Sequence, residues 1–173
     1  MKTLAHILES ALSPVRKTVF IAIVAMFGLQ VVVVFAQVVW RFVFNDPFSW
    51  SEELARYLQV WIVLLASSVC IREGSHLMVD YLVHYLPFSC KKYLKLFVTL
   101  LMMVFITVLV VYGIKMMGAT TARSPALNIP MSAVYLVFPI AGILMWLESL
   151  VVFINIYSAS NEKEFDAAQR PAL

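Results

Sequence analysis

Four stretches without a charged residue constrain this chain more than any other feature. They run from Thr18 to Trp40 (23 residues), Tyr57 to Ile71 (15), Leu96 to Ile114 (19) and Ser124 to Leu147 (24). A helix needs about 20 apolar residues to cross about 30 Å of hydrocarbon. Three runs meet that length alone. The second meets it once the turn Ser51-Glu52-Glu53-Leu54-Ala55-Arg56 is added as its end. Lipid offers no partner to a backbone N–H or C=O, so helices are the expected spanning elements. The alternation of a barrel strand is absent. The expected fold is an all-α membrane protein with transmembrane helices at about 18–40, 52–71, 95–115 and 131–156.

Composition agrees. Of 173 residues, 62% are hydrophobic and 13% charged, against about 45–50% and about 25% in soluble domains. The mean hydropathy is +0.90. These values exclude a soluble enzyme, a disordered tail and a nucleic-acid binder. Lys and Arg set the expected orientation. Nine of them (Lys2, Arg16, Lys17, Arg72, Lys91, Lys92, Lys95, Lys163, Arg170) fall on one side of the four spans, and four (Arg41, Arg56, Lys115, Arg123) on the other. By the positive-inside rule both termini face the cytoplasm. The first run exceeds the about 7–15 residues of a signal-peptide core, so it reads as a retained span. Cys70 and Cys90 lie near the expected cytoplasmic face, where a disulfide is disfavoured.

The segments between spans carry further signals. Residues 1–17 place Leu4, Ile7, Leu8, Ala11 and Leu12 at helical spacing, which suits an amphipathic helix in the interface plane or a frayed tail. Pro14 starts the next helix or ends this one. Asn45-Asp46-Pro47 is a turn signal. Ser49 with Glu52 fits a capping box. Residues 75–86 are apolar with one polar stripe, His76, Asp80 and His84, and read as an interfacial helix ended by Pro87. Pro139, inside the fourth run, frees the carbonyl of Tyr135 and predicts a kink. The segment 157–173 reads as a polar cytoplasmic tail.

Few residues offer chemistry. No histidine lies in a span, so intramembrane haem ligation is disfavoured. His76 and His84 stand two helical turns apart, which suits a solvated face better than a metal site. Neither a GxSxG nucleophile nor a phosphate loop is present, so no enzyme is expected. Arg56 stands at i+4 from Glu52 and i+3 from Glu53, and with Trp50 these residues either dress a helix end or dock a partner subunit. Glu148 is the one charge well inside a span. An intramembrane carboxylate calls for a partner, and matching depth offers Arg72, Lys95, Ser67 or Ser68, or a group on another subunit. Gln30, Gln37 and Gln59 suit hydrogen bonds between helices. These groups are too few for a substrate pathway through this chain alone.

The stretch Trp40-Arg41-Phe42-Val43-Phe44-Asn45-Asp46-Pro47-Phe48-Ser49-Trp50-Ser51-Glu52-Glu53-Leu54-Ala55-Arg56-Tyr57 resembles the signature of the small membrane subunit of TRAP (tripartite ATP-independent periplasmic) transporters. Arg72-Glu73-Gly74-Ser75-His76-Leu77-Met78-Val79-Asp80 resembles that family's second motif. Leu127-Asn128-Ile129-Pro130 through Tyr135 and Pro139 resembles its final-helix pattern. The resemblance covers about 18–152, and Ala66 departs from it where many members carry glycine. It implies a small subunit in the bacterial inner membrane. This subunit would extend the static scaffold of a large multi-span subunit that holds the Na⁺ and substrate sites and moves in an elevator-like way. A periplasmic binding protein would deliver an organic acid anion, with a lean toward sialic acid over C4-dicarboxylates. No cofactor is implied for this chain, Na⁺ being held by the large subunit. The competing class is a membrane assembly factor or a redox-chain anchor.

Overall fold

The computed structural model describes residues 2–45, 49–72 and 88–158. Among these the fold is all-α. Helix α1 runs Lys2–Val39 and opens into a π-helical turn, Trp40–Phe44. Helix α2 is Ser49–Arg72, α3 is Phe88–Ala119, α4 is the short Met131–Tyr135, and α5 is Val137–Ser158. Four segments are long and apolar enough to cross a membrane: Leu12–Phe44, Ser49–Ile71, Cys90–Ala119 and Met131–Ser158. The interfacial helix expected over 75–86, with its stripe His76, Asp80 and His84, lies outside the described residues, as does most of the tail 157–173.

Two local expectations meet different outcomes. The boundary expected near residue 17 is not a break, because α1 continues through Pro14. A single proline removes one backbone bond, at a cost of about 3 kcal/mol, and unwinding beside lipid would forfeit several. One turn beyond the proline, the Thr18 hydroxyl donates to the Pro14 carbonyl, 3.0 Å away. The disruption expected from Pro139 is present as a break in the helix. The fourth span divides at Leu136, directly after the Tyr135 carbonyl that Pro139 cannot satisfy. The Leu136 N–H still donates to the Ser132 carbonyl at 3.1 Å. At the end of α1, Asn45 takes a left-handed conformation, φ 58°, which asparagine tolerates better than most residues.

Helix α5 is the centre of the structure. It packs on α2 along one side and on α3 along the other, while α1 lies against α2 and touches α5. The helices thus form an open row, α1, α2, α5, α3, rather than a square bundle. Val137 and Ala141 of α5 are fully buried against Leu65 of α2, and Val19, Ile23 and Met26 of α1 complete this cluster. Lys92, at the start of α3, donates to the Tyr157 carbonyl at 2.9 Å, satisfying the C-terminal end of α5.

Lipid chains are as apolar as leucine, so helices associate in a membrane through close packing and polar contacts rather than by escaping water. The α3–α5 seam meets this with two glycines. A Cβ on Gly113 would sit 2.5 Å from the Phe138 Cβ, and one on Gly142 would overlap Val110. Gly28 and Gly118 have open space in the same positions. Gly142→Leu or Gly113→Leu should therefore separate α3 from α5 and cost about 1–3 kcal/mol by overpacking. Gly28→Ala should be neutral or stabilise by about 0.5–1 kcal/mol. Thermal unfolding of the purified chain in detergent reads the difference, and equal midpoints for Gly142→Leu and Gly28→Ala would contradict the seam.

Candidate functional site

The polar side chains of the spans gather in three places. The first is where α1 crosses α5. Arg16 Nε donates to Glu148 Oε1 and Arg16 Nη2 to Glu148 Oε2, both at 2.6 Å. The pair is bidentate, the strongest geometry open to a guanidinium and a carboxylate. It is also withdrawn from the surface, with side-chain exposures of 16% and 6%. Depth alone offered Arg72 and Lys95 to Glu148. The bidentate partner is instead Arg16, a residue counted above only as a positive charge flanking the first span. The correction follows from the continuity of α1. A helix unbroken at Pro14 carries Arg16 on the same face as Val19, Ile23 and Met26, which faces α5. The side chain of Arg72 lies outside the described residues.

A buried pair is fragile in a specific way. Removing one partner strands the other charge, at about 3–5 kcal/mol, whereas removing both can be neutral. Arg16→Leu alone should lower the thermal midpoint of the purified chain sharply, and Arg16→Leu with Glu148→Leu should restore most of it. A double variant no more stable than Arg16→Leu would show that the ion pair does not join α1 to α5.

The second place is the end of the molecule where α1 passes to α2 and α3 to α4. The connection 120–130 folds back on itself, with a backbone bridge between Arg123 and Pro130. Ser124 N–H donates to the Ile129 carbonyl at 2.9 Å and Met131 N–H to the Ala122 carbonyl at 3.0 Å. Asn128 supplies the left-handed residue that the turn needs, φ 54°. Glu53, in the first turns of α2, closes this loop. Its Oε2 accepts from the Ser124 hydroxyl, from Ala126 N–H at 3.1 Å and from Leu127 N–H at 3.0 Å. Tyr57, one turn on, donates to Met131 Sδ at 3.5 Å. One carboxylate oxygen thus gathers a hydroxyl and two backbone amides and fixes the α3–α4 loop to α2.

The expected grouping of Glu52 and Glu53 with Arg56 is not what forms. Glu52 Oε1 accepts from Gln37 Nε2 of α1 at 3.1 Å, and Glu53 belongs to the loop. Arg56 is exposed and makes no ion pair among the described residues. An exposed i, i+4 pair contributes only about 0.3–0.5 kcal/mol, so three donors around Glu53 outweigh it. Glu52, expected to reach back to Ser49 in a capping box, turns to α1 instead. Trp50 is 40% exposed at this end, where an amphipathic ring suits a water boundary. Glu53→Ala should leave α2 in place but free the loop, so amide exchange at Ala126 and Leu127 should rise while the α5 core is unchanged. Unaltered exchange there would remove Glu53 as the latch.

A third polar feature links α1 to α2. Gln30 Nε2 donates to Gln59 Oε1 at 2.6 Å, one heptad below the Gln37–Glu52 bond on both helices. The sequence does carry a signal for this seam. Arg16, Gln30 and Gln37 share one heptad register, 16, 23, 30 and 37, which keeps one face of α1 toward its neighbours. Read as a composition, α1 is apolar all round, and the register was hidden.

The comparisons with known proteins fall on this architecture. Residues 30–158 match the family model for the DctQ component of tripartite ATP-independent periplasmic transporters. The chain belongs to that family. It is therefore a transporter component and not an enzyme. A putative TRAP transporter small permease protein of Haemophilus influenzae (strain ATCC 51907 / DSM 11121 / KW20 / Rd) is 32% identical over 84% of this chain and 86% of its own length. The sialic acid TRAP transporter permease protein SiaT of Haemophilus influenzae (strain 86-028NP) is 35% identical over 74% of this chain, which spans only 20% of that longer protein. The C4-dicarboxylate TRAP transporter small permease protein DctQ of Vibrio cholerae serotype O1 is 31% identical over 38% of this chain and 28% of its own length.

Proposed function

We propose that this DctQ-family chain is the non-transporting membrane scaffold of a Na⁺-coupled TRAP transporter, paired with a large permease subunit and served by a periplasmic binding protein. One observation carries the reading. The polar groups of its spans are spent on holding helices to one another: Arg16 on Glu148, Gln30 on Gln59, Gln37 on Glu52 and Glu53 on the α3–α4 loop. Among the described residues no line of polar groups crosses the row from end to end. An ion or an organic anion needs such a line, because its charge cannot pass hydrocarbon unpaired. The fused relative supports the pairing, since there a segment similar to this chain makes up a fifth of a longer permease.

The membrane is the bacterial inner membrane in this reading, with both termini cytoplasmic as the nine-to-four division of Lys and Arg favours. The Glu53-latched loop, Trp50 and Arg56 then stand on the periplasmic side, where they would dock partner subunits. Sialic acid is the favoured cargo, because the sialic-acid relative matches more of this chain than the C4-dicarboxylate one. Na⁺ is assigned to the large subunit.

Reconstitution tests the scaffold role. Purified chain in liposomes with an inward Na⁺ gradient and the binding protein should take up no labelled sialic acid. Addition of the large subunit should start uptake. Uptake by the chain alone would defeat the scaffold reading, and uptake of a C4-dicarboxylate but not sialic acid by the full assembly would change the cargo.

A further inference from the structure

The seam between α1 and α2 changes character along its length. Leu12, Arg16, Val19, Ile23, Met26, Gln30, Val33 and Gln37 follow one heptad register on α1, and each is buried or half-buried. In the half toward the termini, that register meets both α2 and α5 through the ion pair and the apolar cluster. In the other half the contacts are two polar bonds, Gln30–Gln59 and Gln37–Glu52, from half-buried glutamines of α1 to exposed residues of α2.

Their position makes that exposure unusual. Gln30 lies ten residues before Trp40, about 15 Å of helix, so the Gln30–Gln59 bond sits well inside the apolar run. A bond between two glutamines uses one donor and one acceptor. Three amide N–H donors and the Gln30 carbonyl oxygen are left over, and the described residues give them no other partner. Hydrocarbon gives them none either. The other broad exposed faces do not share this problem. On α1, Phe20, Val24, Phe27, Val31 and Phe35 are exposed and apolar. On α3 the exposed Thr107 hydroxyl is already satisfied by the Met103 carbonyl at 2.8 Å. Those faces suit lipid, and the α1–α2 groove does not.

We propose that this groove, marked by Gln30, Gln37, Glu52 and Gln59, is the seat of a transmembrane helix of the large permease subunit, and that this helix presents a hydrogen-bonding side chain to the free amide of Gln59. The inference rests on the pairing with a large subunit put forward above. A polar side chain at this depth on a neighbouring helix supplies what lipid cannot, and headgroups lie too far away to do so. The Gln37–Glu52 rung, nearer the membrane boundary, extends the same contact.

Two measurements on the whole transporter in cell membranes test it. First, Gln59→p-benzoylphenylalanine is irradiated beside a control with the same replacement at Phe105 on α3. An adduct from Gln59 at the combined mass of this chain and the large subunit supports the groove. An adduct of two copies of this chain, or with lipid alone, overturns it, as does large-subunit capture from Phe105 without capture from Gln59. Second, Gln30→Leu with Gln59→Leu should reduce the large subunit recovered with the tagged chain about three- to tenfold, as expected for one lost interhelical hydrogen bond. The thermal midpoint of the isolated variant checks that α1 still packs on α2. Full recovery with the double variant overturns the groove while leaving the pairing intact. If the wild-type chain itself retains no large subunit, the pairing falls, and the groove assignment falls with it.

Discussion

The crossing of α1 and α5 is fixed by two charges that cannot leave each other. Arg16 and Glu148 meet through two short parallel hydrogen bonds, with both side chains largely withdrawn from the surface. Apolar contact in a membrane has little power to choose one rotation of a helix over another, since every face is equally soluble in lipid. A bidentate pair does choose. Once Arg16 points at Glu148, the heptad register of α1 places Val19, Ile23 and Met26 on the cluster around Val137 and Ala141, and sets Gln30 and Gln37 against Gln59 and Glu52.

The row of helices follows from where close approach is possible. Gly113 and Gly142 let α3 and α5 meet with side chains of one helix pressed on the backbone of the other. On the neighbouring face of α5, Ala141 meets Leu65 of α2. A helix packed on both flanks becomes the middle of a layer, and α1 and α3 become its rims. The rims carry long exposed apolar faces, which in water would be a liability and in a bilayer are ordinary. An open layer offers neighbours far more surface than a closed bundle does. That shape suits the scaffold role proposed above.

At one end of the layer, Glu53 ties the α3–α4 loop to α2 through the Ser124 hydroxyl and two backbone amides. These bonds hold the loop against α2. Together with exposed Trp50 and Arg56 it forms a defined surface at the membrane boundary, built on helix ends rather than on a free strand of chain.

Sequence alone determined the fold class, because charge-free runs of helical spanning length have no other stable form in lipid. It also marked the Pro139 break, since a missing N–H acts locally, and it marked Gln30, Gln37, Gln59 and Glu148 as groups in need of partners. It could not name those partners. Glu148 found Arg16, which depth had not singled out, and Glu52 and Glu53 turned to Gln37 and to the loop rather than to Arg56. Burial demands that a polar group be satisfied, but not by whom. That choice depends on how helices are rotated and staggered, and in a chain apolar on nearly every face only the tertiary packing around α5 sets rotation and stagger.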